Sequence, residues 1–162
     1  MTNSPASTIV PAVRPSATLV IFSAGLLCGV LDITAAFITW ALQGIPPVVI
    51  LKGIASGLLG VKAFHGGAGT AALGGVLHFL IAFCAAGVFY GASRKLRFMV
   101  RRPILNGVLY GIVVYIFMYW VVLPLSRDYR SAFSISRTIV AVLTHIICIG
   151  LPISLVVRSY SR

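Results

Sequence analysis

Four side chains carry the chemistry that this 162-residue chain otherwise lacks: Asp32, His78, Tyr115 and His145. A carboxyl, two imidazoles and a phenol can relay protons or hold a polar solute or cation, provided they meet. Asp32 is one of only two acidic residues and sits inside an apolar stretch from Ala17 to Leu42. An ionisable group at the centre of such a stretch costs about 2.5–3.5 kcal/mol or more in hydrocarbon, which makes it a functional-site hypothesis by default. The stretch carries that cost. Its twelve Leu, Ile, Val and Phe residues each favour insertion by about 0.3–0.6 kcal/mol, roughly 4–7 kcal/mol together.

The elements that must position these groups are apolar helices. A composition of 59% hydrophobic and 9% charged residues, with a mean hydropathy of +1.05, excludes a soluble domain with a charged shell. The fold class expected is all-α: a polytopic membrane protein with a four-transmembrane-helix bundle and one interfacial amphipathic helix between helices one and two. Residues 1–16, rich in Ser, Thr, Ala and Pro, read as a flexible cytoplasmic tail ahead of a single bundle over 17–162. Spans are expected at about 17–42, 69–92, 104–123 and 138–157, each near the roughly 20 residues that cross about 30 Å of hydrocarbon. The interfacial helix is expected at about 46–64, after the Gly44-Ile45-Pro46-Pro47 turn. There Lys52, Ser56 and three glycines weaken a crossing.

Charge distribution orients the bundle. Arg94, Lys95, Arg97, Arg101 and Arg102 crowd the loop between spans two and three, which the positive-inside rule places in the cytoplasm. Both termini then lie inside as well. Arg14, Arg158 and Arg162 bring the inner count to eight, against five outside in Lys52, Lys62, Arg127, Arg130 and Arg137. The expected topology is therefore multi-pass with both termini cytoplasmic. The net charge of +11 points to anionic lipid headgroups rather than nucleic acid, because the basic residues sit where helices meet headgroups.

Small-residue spacing says which faces approach. Gly25 and Gly29, Gly87 and Gly91, and Gly107 and Gly111 each form a G-x-x-x-G pair that permits close backbone contact. Such pairs serve packing within one chain or self-association, so a homo-oligomer is one expectation. Three- and four-residue spacing groups Gly25, Cys28, Gly29, Asp32, Ala36 and Thr39 on one face of span one. It also places His78 with Ala71, Gly74 and Ala82 on one face of span two. At 1.5 Å of rise per residue, Asp32, His78, His145 and Tyr115 lie about 22, 21, 18 and 17 Å from the cytoplasmic ends, close to one layer. Tyr115, four residues after Gly111, is placed to offer its phenol to a carboxylate or imidazole.

The first reading of this midplane cluster is structural, polar side chains hydrogen-bonding helices together at about 0.6 kcal/mol per contact. The second is handling of protons, a small polar solute or a cation. The two histidines leave a haem- or metal-binding redox protein as an alternative. Zinc would want three or four ligands, and no local ligand spacing is present. No paired carboxylates, C-x-x-C or nucleophile elbow occurs, so no enzyme activity, cofactor or metal is expected. Cys28, Cys84 and Cys148 lie in separate apolar segments and read as small core residues. Asp128 beside Arg127 and Arg130 reads as a solvated loop.

Several residue runs resemble the uncharacterised YagU-like inner-membrane proteins of bacteria. They are Gly25 to Asp32, Ile54 to Gly60, Leu77-His78-Phe79, Arg102-Pro103 with Gly107 to Gly111, and Leu123-Pro124-Leu125-Ser126, covering about Ala17 to Ser126. The resemblance implies a four-helix inner-membrane protein and no established activity, and it transfers no catalytic residue.

Overall fold

In the computed structural model, residues 15–123 and 134–161 are described. The tail up to Arg14, the Pro124-Leu125-Ser126 run, Arg127, Asp128, Arg130 and Arg162 lie outside them. Among the described residues every regular element is helical. Four helices are long and apolar enough to cross a membrane: α1 (Ala17–Ala41), α4 (Ala68–Lys95), α6 (Pro103–Val122) and α7 (Ile135–Ser159). The shorter α2 (Pro47–Leu59), α3 (Lys62–His65) and α5 (Phe98–Arg101) connect them. Val76, Val88 and Ile104 are 65, 64 and 67% exposed. In water such outward apolar side chains would be a defect; around a bilayer-spanning bundle they face lipid. The chain is a multi-pass integral membrane protein.

Helix boundaries follow local chemistry. Ser16, expected in the tail, caps α1: its hydroxyl accepts from the Leu19 N–H at 3.2 Å. Pro47 and Pro103 stand in the first turns of α2 and α6, where a missing N–H leaves no bond unmade. Gly60 ends α2 with φ 65°, a left-handed conformation that glycine adopts without penalty. The helix expected over 46–64 is thereby split into α2 and the single turn α3. α2 also packs along the side of α4. The Leu51 carbonyl occupies the place where a side chain at Gly74 would begin. Gly74 lies six residues into α4, about 9 Å along its axis, so α2 lies against a span.

α1 sits between two partners. Gly25 and Gly29 let α4 approach. A methyl at Gly25 would run into Phe83, and one at Gly29 would meet Phe79 at 2.8 Å and Ala82 at 3.2 Å. α6 and α7 form the second tight pair, in which Gly107, Gly111 and Gly150 bring backbone against backbone. The buried core, Val20, Ala24 and Cys28 of α1, Ala82, Ala86 and Phe89 of α4, and Ile153 and Val157 of α7, lies toward the end that carries α5 and its arginines. Here polar side chains are fully engaged. Tyr110 donates to the Ala85 carbonyl at 2.7 Å, Ser154 to Pro103 at 2.7 Å, and Asn106 to Arg102 at 2.8 Å.

Both α6 and α7 loosen toward the opposite end. Each contains a π-helical turn, Met118–Val122 in α6 and His145–Gly150 in α7. Their bonds run over five residues: the Leu123 N–H to the Met118 carbonyl, and the Leu151 N–H to the Ile146 carbonyl. Pro152 follows two residues after Gly150 and has no N–H to give to the Cys148 carbonyl, a local reason for α7 to depart from α-helical bonding there.

Candidate functional site

Above the packed core, α1, α6 and α7 diverge around a cavity of about 550 Å3. Asp32, Tyr115 and His145 line it. So does a stripe that begins at Asp32 on α1, continues through Ala36, Thr39 and Trp40, and ends at Gln43 in the turn after the helix. Those positions recur at four, seven, eight and eleven residues, the repeat of one helical face. α6 contributes Met118 and Tyr119, and α7 contributes Ser136, Arg137, Thr138, Ala141 and Thr144. Gln43, Ser134 and Arg137 belong to the helix ends away from the α5 arginines, so the polar rim is on that side.

The four expected site residues occupy one region without forming one hydrogen-bonded network. His78 lies outside the cavity lining and engages α1 from the α4 side, with Nε2 at 2.9 Å from the Gly29 carbonyl. A carbonyl only accepts, so Nε2 carries the proton in this contact. His145 turns its Nδ1 to the Ala141 carbonyl of its own helix at 2.8 Å, which protonates Nδ1 by the same logic. Tyr115 meets His145 through its ring, centroids 5.6 Å apart and planes at 80°, and stacks on Tyr119 at 5.9 Å. The phenol bond expected from Tyr115 is not made: ring contacts hold the side chain instead.

Asp32 lies within electrostatic reach of both His145 and His78. Yet among the described residues its carboxyl takes part in no hydrogen bond or ion pair, and it opens onto the cavity. This differs from polar groups at the packed end, each of which is spent on a named carbonyl. The contacts of the carboxyl with neighbouring helices are the electrostatic ones to His145 on α7 and His78 on α4.

Sequence spacing points to part of this site and misses part. Ala36 and Thr39 share the Asp32 face, as expected, and Ala141 lines the cavity with His145. That spacing does not mark Trp40, Met118 or Tyr119, which also line the cavity. Their signal was available, since Tyr119 lies four residues after Tyr115 and Trp40 eight after Asp32. Aromatic residues near a helix end read equally well as membrane-interface anchors.

The glycine pairs separate into two kinds. At Gly111 an added Cβ would meet Ile146 Cα at 2.6 Å and the His145 carbonyl at 2.8 Å. The Gly107–Gly111 pair thus holds the backbone of the π-helical turn that presents His145. Gly87 and Gly91 have nothing within 4 Å of an added Cβ, so this pair packs against no part of the described chain. Among the described residues no group of three or more His, Cys, Asp or Glu is placed to hold a metal ion. Compared with family models, curated proteins and solved structures, the chain matches none.

Proposed function

We propose that this is a protein of the bacterial inner membrane, with both termini cytoplasmic, that handles protons or a monovalent cation at Asp32. One observation carries the reading: the sole carboxyl among the described residues is unbonded within the bundle and faces a cavity with a polar rim. A structural role would require it to bond a neighbouring helix, as Tyr110 and Ser154 do. The two imidazoles beside it, each with one nitrogen held by a backbone carbonyl, keep a second nitrogen for proton exchange. The reading involves no covalent chemistry and no cofactor.

The orientation rests on the basic cluster Arg94 to Arg102 together with Arg158, and it puts the cavity mouth on the outer face. The resemblance to YagU-like proteins supports the same location. Arg102 and Arg158 border one groove, consistent with anionic headgroups as neighbours. Self-association through the uncovered Gly87–Gly91 face of α4 belongs to the same proposal, and native mass spectrometry in mild detergent showing monomer alone would remove that part. Reporter fusions at the C-terminus test the topology, with a cytoplasmic signal expected.

The central test is reconstitution of wild type and Asp32→Asn in liposomes containing a pH-sensitive dye, under proton, sodium and potassium gradients in turn. Wild type is expected to dissipate at least one gradient above background, and Asp32→Asn none. Equal, background-level fluxes in both proteins would overturn the reading.

A further inference from the structure

The Asp32 cavity has features that a proton or a metal ion does not explain. Its volume of about 550 Å3 falls in the range of roughly 300–1,000 Å3 typical of pockets for drug-sized molecules. A bare cation needs little room and many oxygens: calcium takes about six to eight ligands, and magnesium about six in strict geometry. Here a single carboxyl is offered, with no metal-holding group among the described residues. The cavity wall also carries the aromatic residues Trp40, Tyr115 and Tyr119 and the thioether of Met118. Rings attract a poorly hydrated cation through their negative faces, most strongly when water is excluded. They do little for a strongly hydrated ion.

We infer that the cavity binds a monovalent organic cation, an ammonium or quaternary ammonium group attached to an apolar body. This rests on the reading that Asp32 meets a cation. One carboxyl balances one positive charge, and no second acid among the described residues is present to hold a dication. Ala36, Val140 and Ala141 provide apolar wall for the body of the molecule. Gln43, Ser134 and Ser136 at the rim replace water hydrogen bonds during entry. Arg137, also at the rim, already has an interaction within the protein. It stands eight residues before His145 on α7, about 12 Å along the helix axis from that residue.

The test uses the full chain purified in dodecyl maltoside and isothermal titration with benzyltrimethylammonium. Its neutral isostere neopentylbenzene, in which carbon replaces the charged nitrogen, is run beside it with micelle blanks subtracted. Wild type is expected to bind one benzyltrimethylammonium per chain, at least about tenfold more tightly than the isostere, the discrimination a charge-assisted contact supplies. Asp32→Asn is expected to weaken cation binding by about tenfold or more. Trp40→Ala and Tyr119→Ala are expected to weaken it by about two- to thirtyfold, the span of cation–π contacts from exposed to desolvated.

Equal affinity for cation and isostere in wild type overturns the inference, and that comparison does not depend on any variant folding. So does unchanged binding in both ring variants, which removes the aromatic basis. If wild type fails to bind benzyltrimethylammonium yet shows Asp32-dependent proton or sodium flux in liposomes, the organic-cation inference alone falls. Binding that survives Asp32→Asn undiminished, with no Asp32-dependent flux, overturns both readings.

Discussion

The two ends of the bundle use the same helices and close them differently. At the end bearing α5, Val20, Cys28, Phe89, Ile153 and Val157 interlock, and Asn106, Tyr110 and Ser154 each bond a backbone carbonyl. At the other end α1, α6 and α7 part around about 550 Å3 of cavity, and the one carboxyl there is left unbonded. The difference lies in what fills the space between helices. Lipid tails are as apolar as leucine, so membrane helices associate through close packing and hydrogen bonds rather than through hydrophobic burial. Where both are supplied the bundle is solid. Where bulky aromatics and an unbonded acid take their place it opens toward one face.

Substitutions at the solid end should cost the most. Phe89 is fully buried and meets Tyr110 edge-on at 5.0 Å. Phe89→Ala is expected to lower stability by about 3 kcal/mol, the low end for such truncations, because lipid rather than water receives the lost surface. Unfolding in mixed micelles with increasing SDS measures it, and a loss no larger than that of an exposed truncation such as Val88→Ala would refute the contrast.

Next comes the hinge between the two ends. Gly111→Ala drives a methyl into backbone atoms of Ile146 and His145, which cannot rotate away as a side chain can. An overpacking cost of about 2 kcal/mol is expected, with displacement of His145 from Tyr115. Thermal melting in detergent gives the first, and loss of the Asp32-dependent flux gives the second. Unaltered melting would mean the π-helical turn shifts freely.

At the open end the same kind of change should leave stability nearly untouched. Asp32→Asn keeps the size of a side chain that faces the cavity, so stability is expected to change by less than about 1 kcal/mol while cation binding weakens by about tenfold or more. A large destabilisation in the same SDS titration would reassign Asp32 to a structural role.

The smallest effect is expected at Gly87. Gly87→Ala adds a methyl where nothing lies within 4 Å, so the monomer should gain up to about 1 kcal/mol from helix propensity. A self-associated form using this face would instead weaken, and analytical ultracentrifugation in detergent separates the outcomes.

Read beside one another, Gly107–Gly111 and Gly87–Gly91 show how far a sequence motif reaches. Both permit close approach; only the first is filled within the chain, by a backbone more than thirty residues away in sequence. The four spans, their ends within a few residues, and the inward faces of Asp32 and His78 were legible because they follow from local apolarity and helical spacing. The split of the 46–64 helix at Gly60 was not, since a glycine there suits a helix end or a tight contact equally.

The amino-acid sequence by itself determined that this is an all-helical, four-span membrane protein with a carboxyl it must accommodate at depth. Those properties are sums over neighbouring residues along one chain, and transfer energies and helical periodicity read them directly. Only the tertiary structure decided that Tyr110, Asn106 and Ser154 bond backbone carbonyls while the Asp32 carboxyl faces the cavity. It likewise decided that His78 turns to Gly29, and that Trp40 and Tyr119 share a cavity with the acid. Those outcomes depend on which carbonyl or ring another helix brings within about 3–6 Å, and a π-helical turn that shifts the register of α7 leaves no periodic mark in the sequence.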